Sequence, residues 1–191
     1  MRWVKVLCVV CLMLVCTEAS ARMCFRGRPL PDCRTFWLTE FTYGVQATEH
    51  VDRGHFISPD VGFMVNLTEK HAIGGSYFGE FLINSDHPNV FLHGPKLRYR
   101  YWLREGFNIN ASGALLLSSK AEFAADVGCI YKDWIGLGVR FEFWRKMDSQ
   151  DSDIVMYPTV TVGGIPGLSL TSALAGALAA GVLLFVLAAG D

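Results

Sequence analysis

The chain has 191 residues, 51% of them hydrophobic and 18% charged, with a formal net charge of -1. That balance excludes a nucleic-acid binder that works by displacing phosphate counterions with Lys and Arg. The length fits one domain of ordinary size plus terminal segments, and the apolar content makes membrane association the first class to test.

The N-terminus reads MRWVKVLCVVCLMLVCTEASARM. Arg2 and Lys5 form a basic start, Val6 to Val15 is apolar, and Ala19-Ser20-Ala21 offers the small residues a signal peptidase accepts. The apolar run is too short to span a bilayer, so residues 1–21 are predicted to be a cleaved secretory signal. Acylation of Cys16 is the weaker alternative, because Val15 before it is bulkier than such sites prefer. Cleavage removes Cys8, Cys11 and Cys16 and leaves Cys24, Cys33 and Cys129. Within the N-terminal segment 22–36, Cys24 and Cys33 flank FRGRPLPD, where an oxidising compartment would allow a disulfide loop; the residues leave open whether they bridge or stay free. Cys129 falls in a strand pattern and reads as a small apolar residue.

From residue 37 to 163 the dominant period is two, the signature of strands with one apolar face. EFTYGVQAT sets Phe41, Tyr43, Val45 and Ala47 against Glu40, Thr42, Gly44 and Gln46. DVGFMVNL, KHAIGGSYFGEFLI, KLRYRYWL, FNINASGALLLS, FAADVGCIYK and WIGLGVRFEFW repeat the alternation, and IVMYPTVTVG does so less cleanly because Pro158 removes a ladder donor. This makes eight predicted strands. Short joints (TE, REG, Lys132-Asp133) alternate with longer polar ones (TEHVDRGHFI, NSDHPNVFLHG, RKMDSQDSD), although the joint around Ser118 to Lys120 is short and breaks the trend.

In alternation and layout, about two thirds of the chain resembles the small eight-stranded outer-membrane β-barrel proteins of Gram-negative bacteria. No diagnostic motif accompanies the likeness. The resemblance implies an all-β fold, an antiparallel up-and-down barrel of about eight strands over 37–163, with its apolar face in lipid. Its polar face would fill a narrow interior without an open pore. That interior would hold Glu40, Asp60, Glu80, Lys96, Arg98, Arg100, Asp126, Arg140 and Glu142. Charges withdrawn from water need partners, so an internal ion-pair network is expected in which Arg98, Arg100 and Arg140 meet Glu40, Glu80 and Glu142. Trp37, Trp102, Trp134 and Trp144 fall near strand ends, as interfacial girdles require.

Chemistry-bearing motifs are sparse. His50, His55, His87 and His93 lie in or beside long connections, and with Asp52 or Asp86 they could be drawn as a metal site, but no spacing matches a known zinc pattern. They read as solvated loop histidines. Ser58, His55 and Asp60 are the nearest approach to a catalytic triad and have no supporting motif. GGIPG at Gly163 is a turn or hinge rather than a phosphate cradle. Asn66 and Asn110 start glycosylation sequons inside predicted strands, where such matches carry no weight. The chain is therefore expected to be no enzyme, with no cofactor and no metal.

The tail disagrees with the strands. Between Asp153 and Asp191 no charged residue occurs, and Leu168 to Gly190 would make about 34 Å of helix, enough to span a bilayer. Residues 164–191 are predicted to be a C-terminal transmembrane helix, with small residues at four-residue steps, Ala173 to Ala177 and Gly176 to Ala180. Such a helix should be retained in an inner membrane. Two functions follow: a noncatalytic outer-membrane barrel with a structural, adhesive or interaction role, in contact with membrane lipid and envelope components; or a lipocalin-like or sandwich domain, anchored to the inner membrane facing the periplasm, that binds a small or lipidic ligand.

Overall fold

The computed structural model describes residues 23–24, 27–48, 54–83, 90–104, 106–117, 122–145, 152–165 and 167–173. The predicted signal segment 1–21 and residues 174–191 of the tail lie outside them.

Among the described residues nine strands occur in the order β1 (Met23–Cys24), β2 (Thr35–Val45), β3 (His55–Asn66), β4 (His71–Ile83), β5 (Val90–Arg104), β6 (Phe107–Leu116), β7 (Glu122–Tyr131), β8 (Ile135–Arg145) and β9 (Ser152–Gly163). Each strand from β2 to β9 pairs antiparallel with the next, and β9 returns to pair with β2 through Thr159–Gly163 against Glu40–Gly44. The result is a closed eight-stranded up-and-down barrel, with β1 added in parallel along the start of β2.

The register fixes the shape of the barrel. The row that leaves β2 at Thr35 runs through Val65, Ile73, Tyr99, Ala111, Val127, Val139 and Pro158. By the β9–β2 register it returns at Val45, ten residues further along the strand. With ordinary strand rise and spacing, that shear tilts the strands about 41° from the barrel axis. Connections at one end are short: 67–70, 105–106 and 132–134. Those at the other end, 46–54, 84–89, 117–121 and 146–151, are all longer, including the one after β6 that breaks the trend in the sequence.

Two strands start earlier than their alternation indicates. HFISP belongs to β3 and VFLHGP to β5, where the sequence reads loop. The misleading signal is proline, and the register shows how each is housed. Pro59 pairs with Phe41 of β2, but the β3–β4 register is interrupted between Ile57 and Asp60. Pro95 faces Tyr77 at the point where the continuous β5–β6 register stops at Lys96, and Pro158 pairs with β8 just beyond the last β2–β9 pair. Each missing N–H thus falls where a ladder is already broken.

Inside the wall, side chains stack in three layers. Phe56, Phe78, Leu82, Leu92, Leu116, Val155 and Tyr157 fill the end with long connections. Phe36, Leu38, Met64, Ala72 and Trp102 fill the end with short turns. A charged layer lies between them. Trp102 is therefore no girdle residue: its parity is that of Arg98 and Arg100, and it is buried, donating its indole N–H to Asn66 Oδ1 at 2.9 Å. Trp37 and Trp134 do lie exposed at the short-turn end.

After β9, Gly164 takes a positive φ of 64° and the chain turns into a short helix over residues 167–173. Among the described residues no helix is long and apolar enough to cross a membrane, a statement that has no bearing on strands.

Candidate functional site

Six carboxylates and four cations converge in the middle layer. The inward phase of β5 (Lys96, Arg98, Arg100) supplies three of the cations, and β8 supplies Arg140. Arg98 Nη1 meets Glu40 at 2.7 Å, and its Nη2 pairs with Asp60. Its Nε donates to Ser76 Oγ at 2.9 Å. Lys96 bridges Asp60 at 3.1 Å and Asp126 at 3.5 Å. Arg140 contacts Glu80 at 2.6 Å, Glu142 at 2.8 Å and Asp126 at 3.7 Å. Arg100 donates from Nη2 to Glu40 at 3.5 Å and, more closely, from Nη1 to Asp133 at 2.6 Å.

Asp133 is the member that periodicity does not reveal. It sits in the β7–β8 turn with φ of 59°, a left-handed conformation that Asp tolerates better than most residues, and this turns its carboxylate back over the barrel mouth. Its position next to Lys132 in a tight turn is the available sequence signal, but a turn aspartate usually faces solvent.

The cations also fasten the charged layer to the apolar layers. Arg100 lies over the rings of Phe36 and Trp102 at 5.2 and 5.1 Å, and Arg140 lies over Phe56 and Phe78 at 5.0 and 5.4 Å. Stacking desolvated guanidinium faces on aromatic rings is favourable in itself, so each Arg has an ionic edge and an aromatic face satisfied at once. A polar cavity of about 50 Å³ lies beside Glu40, Lys96, Arg98, Asp126 and Thr159, room for about one to two waters.

The short-turn mouth is covered by the N-terminal segment. Cys24 and Cys33 form a disulfide with Cα atoms 6.0 Å apart, and Cys33 is buried. Asn66 donates to the Arg28 and Cys33 carbonyls at 2.6 and 2.7 Å, while Gly27 N–H donates to Asp133 at 2.9 Å. Asp133 thus ties the covering loop to Arg100 and so to the ion-pair layer. Removing the bridge in a Cys24→Ser, Cys33→Ser double variant should lower stability by about 2 to 3 kcal/mol, from the entropy restored to the unfolded loop; a shift in the urea midpoint at unchanged slope checks this.

Other candidate residues are not brought together. His55 and His93 are strand residues on the outer surface, not loop residues, with β4 between them. His93 is hydrogen-bonded to the Tyr77 hydroxyl at 2.5 Å and His71 to that of Tyr99 at 2.7 Å. His50, His87, Asp52 and Asp86 lie outside the described residues, as does the Trp144 side chain. Among the described residues no cluster of three His, Cys, Asp or Glu could hold a metal. Ser58 and Asp60 point inward and His55 outward, so they cannot act jointly. Asn66 is buried, and Asn110 accepts from Arg100 Nε at 2.7 Å inside the barrel, so neither sequon faces outward. Cys129 is exposed on the outer face of β7.

The outer wall is apolar along its whole girth. Val61, Phe63, Ile73, Leu97, Tyr99, Leu115, Val127, Leu137 and Ile154 are all exposed there. Comparison with protein-family models and with curated proteins finds no match for this chain. Among solved structures it is similar to one described as "De novo design of transmembrane beta-barrels", at 10% identity, over 72% of this chain and 98% of that one, with a TM-score of 0.37.

Proposed function

We propose that the chain is a noncatalytic β-barrel of the bacterial outer membrane, closed to ions and solutes, that serves the envelope structurally or by interaction through its long connections. One observation carries the reading: burial is reversed relative to a soluble domain. Arg100, Arg140, Glu80 and Glu142 are at most 1% exposed, while Leu97 and Leu137 are each 68% exposed. A belt of large apolar side chains around the full circumference far exceeds the patches that soluble monomers show. It is what hydrocarbon requires of a strand wall, and closure joins β9 back to β2 where an open sheet would leave both outer strands as free edges in lipid. The alternating connection lengths support short turns on the periplasmic side and long ones outside.

The lipocalin-like alternative needs an apolar chamber, commonly of roughly 300 Å³ or more. The charged layer of this barrel instead holds about 50 Å³ beside four charged side chains, and the larger hollow of about 780 Å³ lies at the short-turn mouth against the covering loop, with Arg28, Asp32, Lys132 and Asp133 in its lining rather than an apolar wall.

Extraction in mild detergent should yield a band that migrates differently before and after boiling and that fractionates with outer membranes. Reconstitution into planar bilayers should give no conductance steps. Recovery in the soluble fraction without lipid would sink the reading.

A further inference from the structure

Charge is divided unevenly between the two ends of the barrel. At the short-turn end each entry to the wall contributes one exposed cation: Arg34 before β2, Lys70 in the β3–β4 turn, Arg104 at the end of β5 and Lys132 in the β7–β8 turn. Among the described residues none of the four is in an ion pair. The neighbouring acids are mostly engaged elsewhere. Asp133 is turned inward to Arg100 and Asp32 faces Arg28 at 3.7 Å, which leaves Glu69 as the exposed counter-charge among the described residues. In the sequence Arg22 and Arg26 lead into this end and Glu105 joins it, whereas the connections at the other end, 46–54, 84–89, 117–121 and 146–151, hold five acids against three bases.

We propose that this ring of cations binds the headgroups of anionic phospholipids in the leaflet at the short-turn end. The inference rests on the membrane-barrel reading and deepens it by naming a lipid class. Charge complementarity selects the partner, and continuity with the apolar belt sets its place. Trp37, Tyr131 and Trp134 are exposed at the border between belt and ring, and the Lys132 ammonium stands over the Tyr131 ring at 5.3 Å. Indole and phenol rings settle at the level of lipid headgroups. A cation stacked on one of them is held at that level too.

The backbone fixes where each cation starts. The Arg34 carbonyl accepts from the Asn66 N–H at 2.8 Å, the Lys70 carbonyl accepts from the Trp102 N–H at 2.8 Å, and the Lys132 N–H donates to the Gly106 carbonyl at 2.5 Å. Arg104 pairs with Phe107 across the register shift that ends β5. The Thr68 hydroxyl closes the β3–β4 turn by accepting from the N–H groups of Lys70 and His71 at 3.2 and 3.1 Å. Because each position is tied to a neighbouring strand, headgroup binding orders side chains and not loops, which keeps its entropic cost low.

The spacing favours a leaflet over a single small anion. An eight-stranded barrel at this tilt has a mouth about 16 Å across, so cations two strands apart are anchored about 12 Å from one another. One phosphate cannot bridge them, whereas a sheet of headgroups meets each separately, and a guanidinium can grip a phosphate through two N–H groups. Each Lys or Arg close to an anionic surface enriches such lipid about fivefold beside it, and the attraction fades within roughly 8 Å at physiological salt. The acid excess in the long connections gives the opposite leaflet no such attraction.

The full chain is reconstituted into phosphatidylcholine vesicles with a trace of spin-labelled phosphatidylglycerol or spin-labelled phosphatidylcholine, and electron spin resonance reads the fraction of each label immobilised by the protein. Averaged over both leaflets, the anionic label should associate about two- to threefold more strongly, with most of that excess lost in about 1 M salt. Arg34→Gln, Lys70→Gln, Arg104→Gln and Lys132→Gln together should bring the ratio to about one. If that variant does not fold, Lys70→Gln with Lys132→Gln, both in exposed turns, should remove about half the excess, while Arg34→Lys with Arg104→Lys should retain it. Arg53→Gln, Lys120→Gln and Lys146→Gln at the other end should not lower it. A ratio of one in the unaltered chain, an excess that survives neutralisation of the ring, or an equal fall from the variants at the other end would overturn the inference while the barrel reading stands. Retention on isolated peptidoglycan that depends on the four cations, without a lipid preference, would overturn it as well. A chain that immobilises neither label defeats the barrel reading itself, and the inference with it.

Discussion

Replacing Val127 by Arg is expected to cost about 2 to 4 kcal/mol in lipid, the penalty for a cation on the lipid face near the bilayer midplane. Val127 is the sixth of the ten residues of β7, paired with Ala111 and Val139, and it is 53% exposed. In a water-soluble barrel the same substitution exchanges one solvated side chain for another and should fall within about 0.5 kcal/mol of neutral. The two readings of the fold therefore predict effects that differ several-fold, at a position where no native contact of consequence is broken. A urea titration of vesicle-bound protein followed by tryptophan fluorescence measures it. Tyr131→Arg, at the short-turn end of the same strand, should cost less, because the penalty falls toward about 0 to 1 kcal/mol near the interface. A flat profile along β7 would count against membrane residence.

The other large effect is expected inside. Arg140→Met should destabilise the barrel by about 3 to 5 kcal/mol, because it leaves carboxylates uncompensated where water cannot reach them. Arg140 is shared by Glu80 and Glu142, which are fully buried, and by Asp126. Arg98→Met should cost less. Its partner Asp60 keeps Lys96 at 3.1 Å and Glu40 keeps Arg100 at 3.5 Å, so each retains a cation. Adding Glu80→Gln and Glu142→Gln to Arg140→Met should restore most of the loss, since the penalty belongs to the stranded charges rather than to missing attraction. Equilibrium unfolding of the single and triple variants, compared as a cycle, distinguishes this from a packing defect, which the neutral substitutions would not repair.

The strands, their number and their inward face are legible because a single rule governs them. On a two-sided wall every second residue shares an environment, so Glu40, Glu80, Arg98, Arg100, Arg140 and Glu142 could be assigned to one side from parity alone. What parity cannot convey is where the wall ends. His55–Pro59 and Val90–Pro95 carry proline, histidine and glycine, residues that ordinarily mark loops, and they extend the strands only because the ladders are interrupted where each proline falls. Nor can parity assign a residue outside the strands, which is why Asp133 entered the ion-pair layer from a turn. Trp102 shows a different limit: its type suits an interface, and its phase, which was the better guide, places it in the core. The disulfide pairing depended on a loop folding over the barrel mouth, a tertiary event that the spacing of Cys24 and Cys33 permits without requiring.

The closure between β2 and β9 has a further consequence. Glu40–Gly44 pairs with Thr159–Gly163 over five residues, whereas the β2–β3 register occupies all eleven residues of Thr35–Val45. The lacing covers the short-turn half of β9, and toward the long connections a single bond from Ala47 N–H to the Met156 carbonyl continues it. A cylinder laced unevenly along one joint resists load unevenly. If the barrel sits in a bilayer as proposed, lateral strain would concentrate at the upper half of this joint, away from the end where the disulfide loop and the Thr39–Gly164 contact lie. The wall thus has a grain, closely laced at one end of the joint and sparsely at the other.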